Sequence, residues 1–145
     1  MDIRYLDFTT YCSQTVKNAQ ILAETLLNLG YEIVSGGTDT HLILVDLTKK
    51  GISGKKAERS LEESGITTNK NMVPFDTRSP MITSGIRIGT PAITTRGMGI
   101  DEMKEIVSMV DEVITHPEDV SRISSVKSRI SELCSSFPVY GNFEA

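Results

Sequence analysis

The sequence predicts an α+β fold in which helices cover one face of a small, mostly antiparallel sheet. Apolar residues recur at helical spacing near both ends of the chain, whereas short β-branched and aliphatic runs lie between them. The predicted order is helix, two strands, helix, two strands, two helices, which is typical of a two-layer α+β sandwich. The chain has 145 residues, of which 39% are hydrophobic. That is long enough for a single domain with its own core, spanning residues 1–145.

The first helix and a hairpin after it are predicted from apolar spacing and from glycine. Residues 7–28 carry apolar side chains at helical intervals, and Gly30 suits the position after the last turn. Strands over 31–35 and 41–47 flank a glycine-containing turn at 36–40, which predicts an antiparallel hairpin. Both faces of the second strand are apolar, so we expect it to be central in the sheet. The apolar positions of the first helix are Phe8, Cys12, Val16, Ala19, Ala23, Leu26 and Leu29.

The middle of the chain predicts a short helix and two strands. Ser53 is placed to cap a helix that ends at Ser64, with Gly65 closing it. Residues 66–69 are short and β-branched, so we expect a strand there. Residues 70–80 form an irregular loop that prolines interrupt, and a fourth strand follows at about 84–89.

Two helices are predicted at the C-terminal end. Asp101 is placed to cap the first of them, and Pro117 suits the first turn of the second. We expect the two methionines of the first helix, Met103 and Met109, to be core residues. The core face of the first helix is Met103, Ile106, Val107, Val110, Val113 and Ile114, and that of the second is Val120, Ile123, Val126, Ile130, Leu133 and Phe137.

Charge and composition exclude several classes of function. The net charge of -4 and the pI of about 5.2 argue against a nucleic-acid-binding protein, which normally carries a basic surface. No apolar run approaches the roughly 20 residues that a membrane-spanning helix needs. The first five residues contain no apolar signal core, so we expect a cytoplasmic protein.

The two cysteines, Cys12 and Cys134, lie far apart in the sequence. With two histidines and no CxxC spacing, no metal site is predicted. We expect buried thiols in a reducing compartment, and a disulfide between them is the alternative.

The strand around Arg87 favours a binding site. Alternation places Ile86 and Ile88 on one face. Arg87 therefore lies on the other face, with Gly85 and Gly89 beside it. A guanidinium flanked by residues without side chains leaves room for a ligand, and its paired N–H groups match a carboxylate or phosphate. The alternative is a surface arginine beside glycines that only shape the strand.

Two further segments have a functional and a structural interpretation. Asn71 leads into the loop at 70–80, and ordered connections often carry binding side chains, although asparagine is also simply a good turn former. The glycines at 36–37 could contact an anion, but no phosphate-binding motif follows, so a hairpin turn explains them better.

Three segments of the chain together resemble one enzyme family. They are SGGTDTHLILVDL at 35–47, GITTNKN at 65–71 with Pro74 and RSP at 78–80 after it, and TSGIRIGTPAITTRG at 83–97. In this order they resemble motifs of serine hydroxymethyltransferase, also called glycine hydroxymethyltransferase. The stretches 14–26 and 137–140 are similar to a helix and to the C-terminal end of the same family.

The resemblance implies the C-terminal domain of a fold-type I pyridoxal-phosphate-dependent transferase, with 1–29 as the helix that joins a large N-terminal domain. Such an enzyme interconverts serine plus tetrahydrofolate with glycine plus 5,10-methylenetetrahydrofolate, and forms a homodimer when complete. The family holds pyridoxal 5′-phosphate on a lysine in a TTTTHK segment that this sequence lacks. The resemblance therefore implies no catalytic residue in this chain and no activity for the chain alone.

The resemblance also implies roles for individual residues. Arg87 matches the arginine that binds the α-carboxylate of serine or glycine, and Asn71 matches the asparagine that binds the pterin ring of folate. Ser79, Pro80 and Met81 match a stretch beside the folate. Methionine stands where the family has phenylalanine, which keeps apolar bulk but loses a ring. The alternative is a stand-alone, non-catalytic α+β module that binds a small carboxylate or a protein partner.

Overall fold

The computed structural model describes residues 3–34, 41–90, 94 and 96–137, with side chains from residue 9 onward. These residues form helices α1 (Ile3–Asn28), α2 (Gly54–Glu63), α3 (Ile100–Thr115) and α4 (Val120–Ser136), strands β1 (Glu32–Ile33), β2 (Leu42–Asp46), β3 (Asn69–Asn71) and β4 (Gly85–Gly89), and a short 3-10 helix, Thr48–Lys50.

The strands form one antiparallel sheet in the order β1-β2-β4-β3, so the predicted α+β class is confirmed. The hairpin is also confirmed, because Ile33 of β1 lies opposite Val45 of β2. Strand β2 pairs on both edges and is central, as its two apolar faces predicted. The predicted turn at 36–40 lies outside the described residues.

The two faces of the sheet differ in burial. One face packs its aliphatic side chains into the helical core and buries Ile43, Val45, Ile86 and Ile88. On the other face the side chains remain exposed or half-buried. We call this second face the open face; it consists of Leu42, Leu44, Asp46, Asn69, Asn71 and Arg87.

The buried stripe of α1 differs from the predicted one because it includes polar residues. Its members are spaced by three and four positions: Thr15, Asn18, Ala19, Leu22, Ala23 and Leu26. The fully buried Asn18 amide donates to Thr94 Oγ1 at 2.9 Å and to the Met98 carbonyl at 3.0 Å, and accepts from Gln14. These bonds connect α1 to the segment before α3. Leu29, predicted to be in the core, is exposed.

The cysteine prediction was wrong for Cys12, which is exposed, whereas Cys134 is half-buried and both are free thiols. Among the α1 side chains that the structure describes, from residue 9 onward, Thr15 is the first buried one, and Cys12 lies in the turn before it. Although α1 has 26 residues, no helix in the described part of the chain is long and apolar enough to span a bilayer.

The third strand lies three residues later than predicted. Strand β3 pairs with β4, with Asn69 opposite Arg87 and Asn71 opposite Gly85. The β-branched residues before it do not join the ladder, because Gly65 (φ 86°) closes α2 and the Ile66 N–H donates back to the Leu61 carbonyl at 2.8 Å. Residues 70 and 71 therefore belong to a strand and not to the predicted loop.

Two of the predicted helix starts were also placed differently. The cap at Ser53 is confirmed, since its side chain accepts the Lys56 N–H. Helix α3 is capped by Gly99, and Asp101 lies inside the first turn. There the negative charge of Asp101 interacts favourably with the positive end of the helix dipole. Helix α4 is capped by Asp119, so Pro117 precedes the helix.

The predicted core faces of the last two helices were nearly right. All six predicted residues of α3 are buried, and so are both of its methionines. In α4 only Ile123 and Val126 are buried, and Ile130, Leu133 and Phe137 are half-buried against the core. Val120 is 79% exposed because it follows the cap directly.

Candidate functional site

Arg87 lies at the centre of the open face. It is the middle residue of β4, with Leu44 of β2 opposite on one side and Asn69 of β3 on the other. The alternation predicted from the sequence is confirmed, since Ile86 and Ile88 are buried and Arg87 is exposed.

The space expected beside Arg87 is smaller than the glycines suggested. A Cβ on Gly85 would lie 2.7 Å from Val73 Cγ1 and 2.9 Å from the Asn71 carbonyl oxygen. The side chain of Val73 therefore already covers Gly85. The absence of a side chain at Gly85 permits close packing of the loop and does not create a cavity there.

The guanidinium of Arg87 has no hydrogen bond and no ion pair with any residue that the structure describes. An exposed guanidinium in the middle of a rigid sheet can present two parallel N–H groups to one carboxylate. Its position on a strand rather than on a loop fixes the direction from which a ligand can approach.

Asn71 lies on the same face as Arg87. It is opposite Gly85, two residues along β4, so it is a diagonal neighbour of Arg87 at a backbone separation of about 7–8 Å. Its Nδ2 donates to the Met72 carbonyl at 2.9 Å. The amide oxygen accepts no hydrogen bond from any residue that the structure describes, so it can accept one from a ligand N–H.

The loop between β3 and β4 is organised by one carboxylate. Asp76 accepts hydrogen bonds from the backbone N–H groups of Val73, Arg78 and Ser84 and from the Ser84 hydroxyl, at 2.7–3.2 Å. The Ser84 hydroxyl contributes most to lowering the pKa of Asp76 to about 2, and the backbone N–H groups add to it. The loop is thus held to both strands that carry the site.

The N-terminus of α2 holds the other end of this loop. The N–H groups of Gly54 and Lys55 donate to the carbonyls of Thr83 and Ile82, at 3.1 and 2.9 Å. These N–H groups belong to the first turn of the helix and have no partner inside it. Arg78 adds a bond from Nη1 to the Ile52 carbonyl at 3.1 Å.

The predicted folate residues Ser79, Pro80 and Met81 lie on an exposed turn of the same loop. The Ser79 carbonyl accepts the N–H groups of Ile82 and Thr83, both at 2.9 Å. Met81 is 72% exposed. The turn belongs to the loop that follows Asn71 of β3 and leads into β4, the strand of Arg87. Four large apolar side chains of the loop are exposed, which we call the apolar rim: Met72, Phe75, Met81 and Ile82.

The described residues do not fit covalent attachment of pyridoxal phosphate. A Schiff-base lysine needs an ammonium that burial makes easy to deprotonate. All eight lysines of the chain lie in the described part, and none of them is buried. The described residues also contain no group of three or more metal-binding side chains.

A cavity of about 250 Å³ lies on the helix-covered side of the sheet, away from Arg87, and its walls include Leu22, Val107, Val110 and Leu133. Arg96 lines it too and donates to the Phe137 carbonyl at 3.1 Å, which satisfies the C-terminal end of α4. The second arginine of the segment 83–97 thus has a structural contact.

Sequence reasoning did not single out two residues of the loop between β3 and β4, Asp76 and Phe75. An aspartate in a proline-containing loop that bonds the N–H two residues later is a common turn signal, so Asp76 had a detectable signature. Phe75 had none, because its positive φ of 58° is a conformation that phenylalanine rarely adopts.

Comparison with known families identifies the family of the chain. The family model for serine hydroxymethyltransferase matches residues 3–110 of the chain. The matched range contains the whole sheet, Arg87, Asn71 and the loop between β3 and β4. The stretch 137–140, which also resembled this family, lies outside the match, and 138–140 lie outside the described residues.

Proposed function

Because the chain belongs to the serine hydroxymethyltransferase family, we propose that it is the C-terminal domain of an enzyme that interconverts serine and glycine with a folate as one-carbon carrier. The observation that supports this most is the free guanidinium of Arg87 at the centre of the open face, with Asn71 beside it on the same face. The complete enzyme would be a cytoplasmic homodimer.

Arg87 binds the α-carboxylate of serine or glycine in this proposal. Two parallel N–H bonds fix the carboxylate in the plane of the guanidinium, so the orientation of the amino acid is set as well as its position. Orientation matters because the bond to be broken must be aligned for reaction.

Asn71 and the turn that carries Ser79, Pro80 and Met81 bind tetrahydrofolate. The free amide oxygen of Asn71 accepts a hydrogen bond from an N–H group of the pterin ring. Met81 offers a flexible apolar surface that adapts to a flat ligand. Asp76 holds this loop in place and has no contact with substrate in the proposal.

Pyridoxal 5′-phosphate, which the family uses, is held by residues other than those described here, since no lysine of this chain fits it. We therefore assign no catalytic residue to the chain. The lack of a fitting lysine also favours a second candidate, a non-catalytic module that binds a small carboxylate or a protein. The mass of the native protein distinguishes the two, because the enzyme requires a much larger chain or a tightly associated partner.

The test is Arg87→Lys in the complete enzyme. Lysine keeps the charge but cannot form the planar pair of bonds, and the loss of one charge-assisted bond costs about 1.5–3 kcal/mol. Serine affinity, measured by calorimetry, should fall roughly ten- to a hundredfold, and kcat should fall further. The control is Arg59→Lys, an exposed arginine on α2, which should change neither.

Asn71→Ala should affect the binding of the two substrates differently. It should leave serine affinity unchanged and weaken folate binding, since its amide lies on the folate side of the proposed site. Normal serine binding and normal turnover in Arg87→Lys would show that the carboxylate assignment is wrong and that Arg87 is a surface arginine.

A further inference from the structure

Phe75 has an unusual combination of exposure and conformation. Its side chain is fully exposed, more so than any other large apolar side chain in the described part of the chain. Its backbone lies in the left-handed region, with φ 58°. The ring therefore contributes nothing to the core, and the conformation is one in which asparagine or glycine is far more common than phenylalanine.

A tight turn produces this conformation. The Asp76 N–H donates to the Val73 carbonyl at 3.0 Å, which closes a four-residue turn with Pro74 second and Phe75 third. The positive φ of Phe75 identifies this as a type II turn, in which proline is common at the second position and glycine or asparagine at the third. The carboxylate of Asp76 then bonds Val73 and Ser84, so the turn is held beside the ends of β3 and β4 and the ring cannot swing far from them.

Phe75 is an aromatic residue in a loop whose other exposed apolar side chains are aliphatic or thioether groups. The other described aromatic side chains, Tyr11, Tyr31 and Phe137, belong to α1, to the segment after it and to the end of α4, so Phe75 is the aromatic residue of this loop. The apolar rim adds the flexible Met72 and Met81, whose thioethers make favourable contacts with aromatic rings.

We propose that Phe75 is a folate-binding residue whose ring stacks against an aromatic ring system of the folate, the pterin or the p-aminobenzoyl group. This inference rests on the proposed function. A strained, solvent-exposed aromatic residue at the edge of a site is accounted for when a ligand covers it, because the contact made on binding offsets a conformation that is unfavourable in the free protein.

The test uses three substitutions in the complete enzyme, with folate affinity measured by calorimetry using 5-formyltetrahydrofolate in the presence of glycine. Phe75→Asn relaxes the turn but removes the ring, so the melting temperature should rise while folate affinity falls roughly three- to tenfold. Phe75→Leu should lower folate affinity by the same factor. Phe75→Tyr keeps a ring and should bind folate within about twofold of the parent.

Serine affinity should be unchanged in all three variants. The control is Val120→Asn, which removes another largely exposed apolar side chain, at the start of α4, and should leave folate affinity unchanged. A ring that served only to shape the turn would not give higher stability together with weaker folate binding.

Three outcomes distinguish failure of the proposed function from failure of the role proposed for Phe75. If the parent enzyme binds serine but no folate, the proposed function fails. If the parent binds folate and both Phe75→Asn and Phe75→Leu bind it equally well, the function stands and the inference is wrong. If these variants weaken serine and folate binding together and dissociate the enzyme on gel filtration, Phe75 contacts another part of the protein, and the inference is again wrong.

Discussion

Gly54 is the residue at which α2 meets the strand that carries Arg87. A Cβ at this position would lie 2.1 Å from Thr83 Oγ1 and 2.3 Å from the Gly85 carbonyl oxygen, well inside van der Waals contact. Without a side chain, the Gly54 N–H reaches the Thr83 carbonyl. The absence of a side chain at Gly54 thus permits the close approach of α2 to β4.

We expect Gly54→Ala to lower the free energy of unfolding by about 1–3 kcal/mol, because Gly85 and its carbonyl belong to the sheet and cannot move aside. This clash outweighs the roughly 1 kcal/mol by which alanine favours a helix over glycine. Urea denaturation gives the value. The comparison variant is Gly99→Ala, where nothing lies within 4 Å of the new Cβ. It loses only the preference for glycine over alanine at the N-cap of α3, so it should destabilise less than Gly54→Ala. Equal stability of the two variants would contradict the close contact at Gly54.

At the scale of elements, the helices leave a gap where α1, α3 and α4 meet on the covered side of the sheet. The cavity of about 250 Å³ is lined mainly by aliphatic side chains, including Leu26, Ile106 and Val110. Side chains around a void lose contacts that a filled core would provide. Filling the cavity is therefore a way to stabilise the fold without touching the open face.

Val110→Ile should raise the free energy of unfolding by about 0.8 kcal/mol, the gain from burying one more methylene group. Val126→Ile is the control, since Val126 is fully buried in α4 but does not line the cavity. There the extra methylene should destabilise by about 1–3 kcal/mol. Thermal and urea denaturation of both variants check the difference, and the same sign for both would show that the cavity does not admit the added group.

At the scale of the whole molecule, two carboxylates make the free energy of unfolding depend on pH in the acidic range. The Ser84 hydroxyl and three backbone N–H groups lower the pKa of Asp76 to about 2, and the ion pair with Lys56 lowers the pKa of Glu118. A lowered pKa stabilises the folded state above the ordinary value of the group. This contribution is lost as the pH falls from about 4 toward 2.

The free energy of unfolding of the chain should therefore decline over that interval, and Asp76→Asn should flatten the decline. The variant should also be less stable at pH 7, because its Nδ2 cannot accept the N–H groups that bind the carboxylate. Urea denaturation at a series of pH values provides the measurement. The control is Glu62→Gln on α2, which should keep the parent's decline. A parent-like slope in Asp76→Asn would show that Asp76 does not hold the loop.

Local periodicity was sufficient where burial repeats along one element. The core face of α3 was predicted correctly because residues three and four apart share one side of a helix whatever packs against it. The exposure of Arg87 and the burial of Ile86 and Ile88 followed in the same way from the alternation of a strand. The strand that carries Arg87 and the face of the sheet on which Arg87 lies could therefore be predicted from the sequence alone.

The sequence by itself determined the α+β class, the central strand, the exposed arginine and the family that the chain resembles. Each of these follows from the spacing of apolar residues along one element or from a contiguous motif. Only the tertiary structure decided that the third strand begins at Asn69, that Asn18 is buried, and that Asp76 binds Ser84. A strand partner, a buried amide and a carboxylate that bonds residues next to two different strands all depend on groups that local spacing does not relate. No local pattern specifies which of them will meet.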